Sequence, residues 1–347
     1  MADADEDLNQ AFLYPGTPDL KRSLNNGDEM KIARSALLGL MVLAPLSSAQ
    51  TKNFPSKTVT IIVPFTAGSG SDTSARFFGE QLSKTLNQSF VVENRPGASG
   101  IIAVSAVKNA PADGHTILLA SNSPIAVNPV TIKDLPYDPL KDLKPISGVT
   151  RGMNALVVAP GSPIRTIADL VAQGKEKKLS VGTYSDGYRL ALEWLSSQTG
   201  VKFMNVPYKG GAPVFTDVMG GHLDVGMVDM GGAATTIKSG KLRALAVSGE
   251  TRHPDFPDVP TIKESGYPDY VNYSWTSFYV LAATPDDVTK TLANAMQKAL
   301  HSDAAKAFVK KTGGELMPYT AEKMREYQNL EIARFRDIAD SAGIKAQ

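Results

Sequence analysis

The chain has 347 residues, a formal net charge of +1, 42% apolar and 20% charged residues, and no cysteine. That length supports a large core and two lobes, and the balanced charge gives no sign of a nucleic-acid-binding surface. Without cysteine there are no disulfides, thiolate metal sites or cysteine nucleophiles; the four histidines (115, 222, 253 and 301) form no pair at metal-ligand spacing, so neither a metal nor a cofactor is expected.

From Met30 the sequence MKIARSALLGLMVLAPLSSAQ reads as a secretory signal peptide, Met30 to Ala49. Lys31 and Arg34 make the basic n-region, Ser35–Leu46 is apolar but too short to span a bilayer, and Ser47-Ser48-Ala49 supplies the small residues of a cleavage site. Residues 1–29 open on the acidic MADADED and read as a mis-assigned extension, with a disordered arm as the alternative. Without residues 1–49 the chain is mildly basic, which suits a protein that collects anions.

Beyond the signal, short β-branched runs alternate with amphipathic segments of helical length. Strands are expected at Thr58–Pro64, Phe90–Glu93, Thr116–Ala120, Ala155–Ala159, Leu179–Thr183, Lys202–Val206, Val225–Asp229, Leu242–Val247 and Thr276–Ala282. Helices are expected at Asp72–Leu86, Ile101–Asn109, Ile167–Gln173, Gly187–Thr199, Ala212–Met219, Ala233–Ser239, Pro285–His301, Ala304–Lys311 and Ala321–Ala342. Thr166, with Asp169 three residues on, reads as a helix N-cap. The alternation predicts an α/β fold with mostly parallel sheets, whose ligands lie at the carboxyl ends of strands. Two lobes are expected, 50–159 plus 274–347 and 160–273, joined by two crossing hinge strands over a ligand cleft.

Two strand–loop–helix junctions carry the chemistry. The first, VPFTAGSGSDTSAR (63–76), has Gly68 and Gly70 to turn the backbone, and Ser69, Ser71 and Thr73 to add hydroxyls. Its unpaired helix-start amides and partial positive charge favour an anion: a phosphate, an oxyanion or a carboxylate. It lacks the third glycine of a dinucleotide fingerprint and the Lys-Ser/Thr of a P-loop. Asp72 reads as the N-cap of the helix ahead of a direct ligand contact. The second junction, Thr183-Tyr184-Ser185-Asp186-Gly187-Tyr188-Arg189, offers the same features. Thr183 stands where the first glycine of a nucleophile elbow would be, so a hydrolase is disfavoured and no catalytic residues are expected. Arg189 either forks onto a carboxylate or is solvated; Tyr184 and Tyr188 either stack on an aromatic ligand or pack.

These motifs are similar to those of a known family. FPSKTVTIIVPFTAGSGSDTSAR (54–76), VVENRPGASGIIA (91–103), DGHTILLAS (113–121), VPYKGGAP (206–213), GGHLDVGMVD (220–229) and GKLRALAVSGETR (240–252) together resemble the extracytoplasmic solute receptors of tripartite tricarboxylate transporters, the Bug or TctC type. The resemblance implies a periplasmic two-lobe periplasmic-binding-protein fold, type II-like, that closes on a small carboxylate and delivers it to membrane permease subunits. A sensor of the same fold, signalling to a membrane kinase, is the alternative; a monomer is the default. By the same resemblance the ligand loops are Thr66, Ala67, Gly68, Ser71 and Asp72, then Thr183, Tyr184, Ser185, Asp186 and Gly187; the neighbouring Phe65 and Ser69 of the first loop and Tyr188 and Arg189 of the second are expected in the site with them. Ser121, Asn122, Arg151, Tyr208, Asp229 and Trp275 complete it. Ser69 stands where the family often has glycine, and Tyr184, Asp186, Tyr188 and Arg189 are individual to this chain. Two aromatic rings and an arginine there point to an aromatic dicarboxylate.

Overall fold

The computed structural model describes residues 54–346; the expected signal peptide and extension lie outside them. The run VTIIV becomes β1 (Val59–Val63), four of whose five residues are fully buried, as befits a strand covered on both faces. Helix α1 (Gly70–Leu86) turns Ala75, Phe78 and Leu82 inward on one stripe and ends at Asn87, whose φ of 50° is left-handed. After it come β2 (Phe90–Asn94), α2 (Ile101–Lys108) and β3 (Thr116–Ser121), with β1 parallel to both β2 and β3. A π-helical turn (Ser123–Val127) and α3 (Asn128–Thr131) follow.

Strand β4 (Leu143–Val158) is 16 residues long, where the sequence predicted only its last few. The remaining elements are α4 (Ile167–Glu176), β5 (Ser180–Thr183), α5 (Asp186–Thr199), β6 (Met204–Pro207), α6 (Gly211–Met219), β7 (Val225–Asp229), α7 (Met230–Lys238), β8 (Arg243–Val247), β9 (Tyr273–Leu281), α8 (Asp286–Leu300), α9 (Asp303–Thr312), β10 (Glu315–Leu316) and α10 (Ala321–Ser341). Thr166 and Asp169 form the expected capping box on α4. The two-residue β10 and the turn after β3 carry no periodicity to find.

The sheets are mixed rather than mostly parallel. Pairings β1–β2, β1–β3, β5–β6 and β5–β7 are parallel, whereas β3–β9, β4–β9, β4–β7, β4–β8 and β4–β10 are antiparallel. The reason is connectivity. β4 leaves one sheet for the other and β9 returns, so the two run in opposite directions side by side. Residues Leu143–Met153 of β4 pair with β9, and Asn154–Val158 pair with β7 and β8. Its alternation is masked because both faces are covered, which is why the pattern hid its first half.

Candidate ligand-binding cleft

The carboxyl ends of β1, β3, β5 and β7 converge on a cavity of about 110 Å3, at the strand ends where α/β sheets bind ligands. Of the expected site residues, Phe65, Ser69, Ser71, Ser121, Asn122 and Arg151 line it, as do Tyr184, Ser185, Tyr188, Asp229 and Trp275.

The first wall is the start of α1. Its N-cap is Ser69, not Asp72: the Ser69 hydroxyl accepts from the Asp72 N–H at 3.2 Å. Among the described residues the Gly70 and Ser71 amides have no protein acceptor. They face the cavity at the positive end of a 17-residue helix. Asp72 points the other way. Its carboxylate accepts from Gly68 N–H and Asn94 Nδ2, both at 2.9 Å, and forks with Arg76. Burial pushes its pKa up, but Arg76, the Gly68 amide and Asn94 outweigh that and hold it below the ordinary 3.8. Asp72→Ala removes the acceptor of the Gly68 N–H and one of the two acceptors of Asn94 Nδ2, together with the Arg76 pair, and is expected to cost about 1 kcal/mol of stability, read from denaturant midpoints. Because the folded pKa is depressed, this contribution is complete above the ordinary carboxylate range and fades as pH falls through the lowered value. The difference between wild type and variant therefore shrinks in acid; a difference that is constant with pH contradicts the role.

The turn after β3 supplies Asn122. It is 5% exposed, lines the cavity, and its side-chain amide has no hydrogen-bond partner among the described residues. Opposite stands Asp229 at the end of β7. It caps α7, accepting from Gly231 N–H at 3.2 Å and Gly232 N–H at 2.7 Å. Burial pushes its carboxyl above the ordinary value despite those two amides. Among the described residues Arg151 is the one cation on the wall, and its guanidinium is already paired with Glu315 of β10 (2.6 Å) and lies over the Tyr273 ring. Trp275 is 1% exposed and turns its indole N–H away, onto Glu331 of α10 at 3.0 Å.

The second loop is built differently from the expectation. At the start of α5 the Asp186 N–H donates to the Ser99 hydroxyl (3.2 Å) and the Gly187 N–H to Ser123 Oγ (3.0 Å), which also bonds Ser185 Oγ (2.8 Å). Serines from the turns before α2 and after β3 therefore occupy the amides that an anion would need. Arg189 does not reach the cavity; it is held by Asp186 (2.7 Å) and Glu193 (2.8 Å) on its own helix, because i+3 and i+4 partners lie on the same face. Tyr184 and Tyr188 face each other with ring centroids 4.4 Å apart and hydroxyls 2.8 Å apart, and Phe65 stands edge-on to Tyr184. Five more expected residues lie off the cavity. Thr183 bonds Asn205, and Tyr208 donates to Asp217 on α6. Thr66 is pressed against Gly210, and Ala67 and Gly68 face outward.

Gly70 and Thr73 of the first loop also line the wall; sequence reasoning missed Ser74, Thr150, Gly152, Ser274 and Thr276 there, and the pair Gly231-Gly232. The last had a legible signal. MVDMGGAA is an apolar strand, an aspartate and two glycines opening a helix, the same punctuation as the first loop. Thr312, Gly313 and Gly314, at the end of α9, had none. Among the described residues no group of three His, Asp or Glu is placed to hold a metal ion.

The family model described as the tripartite tricarboxylate transporter family receptor, TctC, matches residues 74–344. A UPF0065 protein of Bordetella bronchiseptica is 35% identical over 317 residues, covering 90% of this chain and 94% of that one. Among solved structures, R. palustris Rpa4515 with adipate superposes with a TM-score of 0.81 at 32% identity, over 85% of this chain and 100% of the other. MatC from Rhodopseudomonas palustris with bound malate gives 0.78 at 27%, over 82% and 99%.

Proposed function

The chain belongs to the TctC family of tripartite tricarboxylate transporter receptors, and we propose that it captures a small carboxylate in the periplasm and delivers it to the permease subunits of such a transporter. The observation that carries the reading is the free amide pair of Gly70 and Ser71, facing the same cavity as the unpartnered Asn122 amide. Hydrogen-bond donors at a helix start hold a carboxylate without a lysine or arginine. In this reading β4 and β9 form the hinge, and a bound acid favours closure by its higher affinity for the closed form. The receptor acts as a monomer and performs no chemistry on its ligand.

The ligand we propose is a short aliphatic acid rather than an aromatic dicarboxylate. Tyr184 and Tyr188 pack against each other with their rings tilted by 42° and centroids 4.4 Å apart, leaving no slot between them, and Arg189 is spoken for by Asp186 and Glu193. The adipate and malate named for the two solved relatives point the same way. A thermal-shift screen of the purified protein tests this. A ligand at a hundred times its dissociation constant adds about 2.7 kcal/mol, so aliphatic dicarboxylates should raise the melting temperature by several degrees. A shift confined to aromatic dicarboxylates would overturn the ligand class, and no shift with any acid would overturn the function.

A further inference from the structure

Asp229 is a carboxylate in a cleft that receives carboxylates. Its two acceptors are each half used, by the Gly231 and Gly232 amides, and no basic side chain pairs with it among the described residues. It stands beside the anion site: a methyl group placed on Gly70 would come within 2.6 Å of Asp229 Oδ2, and one on Gly152 within 3.8 Å of Oδ1. Around it are the Tyr184 hydroxyl, which accepts from the Asp229 N–H, and the Tyr188 hydroxyl of α5 bonded to it; His253 lies beyond Gly313, its Nε2 donating to the Gly313 carbonyl and its Nδ1 accepting from Asp255 N–H, a neutral tautomer. Burial lowers the His253 pKa, so it brings no charge at neutral pH. Arg151 is committed to Glu315.

An acid bound at Gly70 and Ser71 thus brings a second negative charge next to Asp229, in a place poor in water. Like charges at this range repel strongly unless a proton lies between them. Resting on the carboxylate-receptor reading, we infer that the ligand carries a hydrogen-bond donor, an ammonium or a hydroxyl, on the carbon next to its carboxylate, and that Asp229 selects for it. The adjacency of Gly70 and Asp229 sets the spacing: carboxylate on the α1 amides, donor on the neighbouring carbon toward Oδ2. Asp229 is then a specificity residue, accepting from the substituted acid and repelling the plain one.

Isothermal titration of matched acids tests it: succinate, malate and aspartate at four carbons, adipate and 2-aminoadipate at six, against wild type and Asp229→Asn at neutral pH. Asparagine keeps one acceptor oxygen for the α7 amides and so retains part of the cap; Asp229→Ser is the second variant, and circular dichroism checks both folds. Wild type is expected to bind a substituted acid at least tenfold tighter than the plain acid of equal length. Which substituent wins tells ammonium from hydroxyl. In Asp229→Asn the plain acid should gain and the ammonium acid lose, so that the ranking collapses. Wild type binding plain acids as tightly as substituted ones overturns the inference while leaving the receptor reading intact, and so does a ranking unchanged in both variants. If no acid binds wild type, the receptor reading falls and this inference with it.

Discussion

Replacing Gly70 by valine is expected to weaken carboxylate binding at least a hundredfold, about 2.8 kcal/mol, while the protein stays folded. A Cβ at this position meets Asp229 Oδ2 at 2.6 Å, and that carboxylate is fixed by two amides and cannot swing aside without uncapping α7. The added methyls also fill the space in front of the Gly70 and Ser71 amides. Gly70 has no left-handed φ, so the backbone tolerates a side chain and the damage is confined to the site. Titration calorimetry with the acid giving the largest thermal shift checks this; binding within threefold of wild type contradicts the placement of the anion.

Trp275→Ala should act on the fold first. The ring is 1% exposed, packs edge-on to Tyr327 at 5.6 Å, and donates to Glu331, a buried carboxylate shared with Arg334. The substitution opens a large cavity and takes a donor from a buried charge. A loss of about 3–5 kcal/mol is expected, with a fall in melting temperature of roughly 5–8 °C for a protein of this size. Trp275→Phe keeps most of the packing and should fall by less than half as much. A melting temperature for the alanine variant within 2 °C of wild type contradicts this assignment.

Much of the fold was legible because period and punctuation agree along this chain. The VTIIV run, the glycine loop and the inward stripe of α1 each point to the same strand–loop–helix unit. The antiparallel character of β4 and β9 was not legible, since strand direction follows from which sheet a long strand enters, not from its own residues. The site was half legible. Residues at a helix start, such as Ser69 and Ser71, reach the cavity because the loop geometry is local. Arg189 did not, because its partners Asp186 and Glu193 are one turn away and compete with any ligand. The serine contacts that close off α5 join residues 64 apart or more, Ser123 with Gly187 and Ser99 with Asp186, and no spacing rule connects them.

The most direct test of the account is a crystal structure of the protein with the acid that stabilises it most. The account predicts a carboxylate oxygen within about 3 Å of both the Gly70 and Ser71 amides, with the Asn122 side chain donating to the same ligand. A carboxylate lodged instead on the Asp186 and Gly187 amides at the start of α5, with Ser99 and Ser123 displaced, would contradict it.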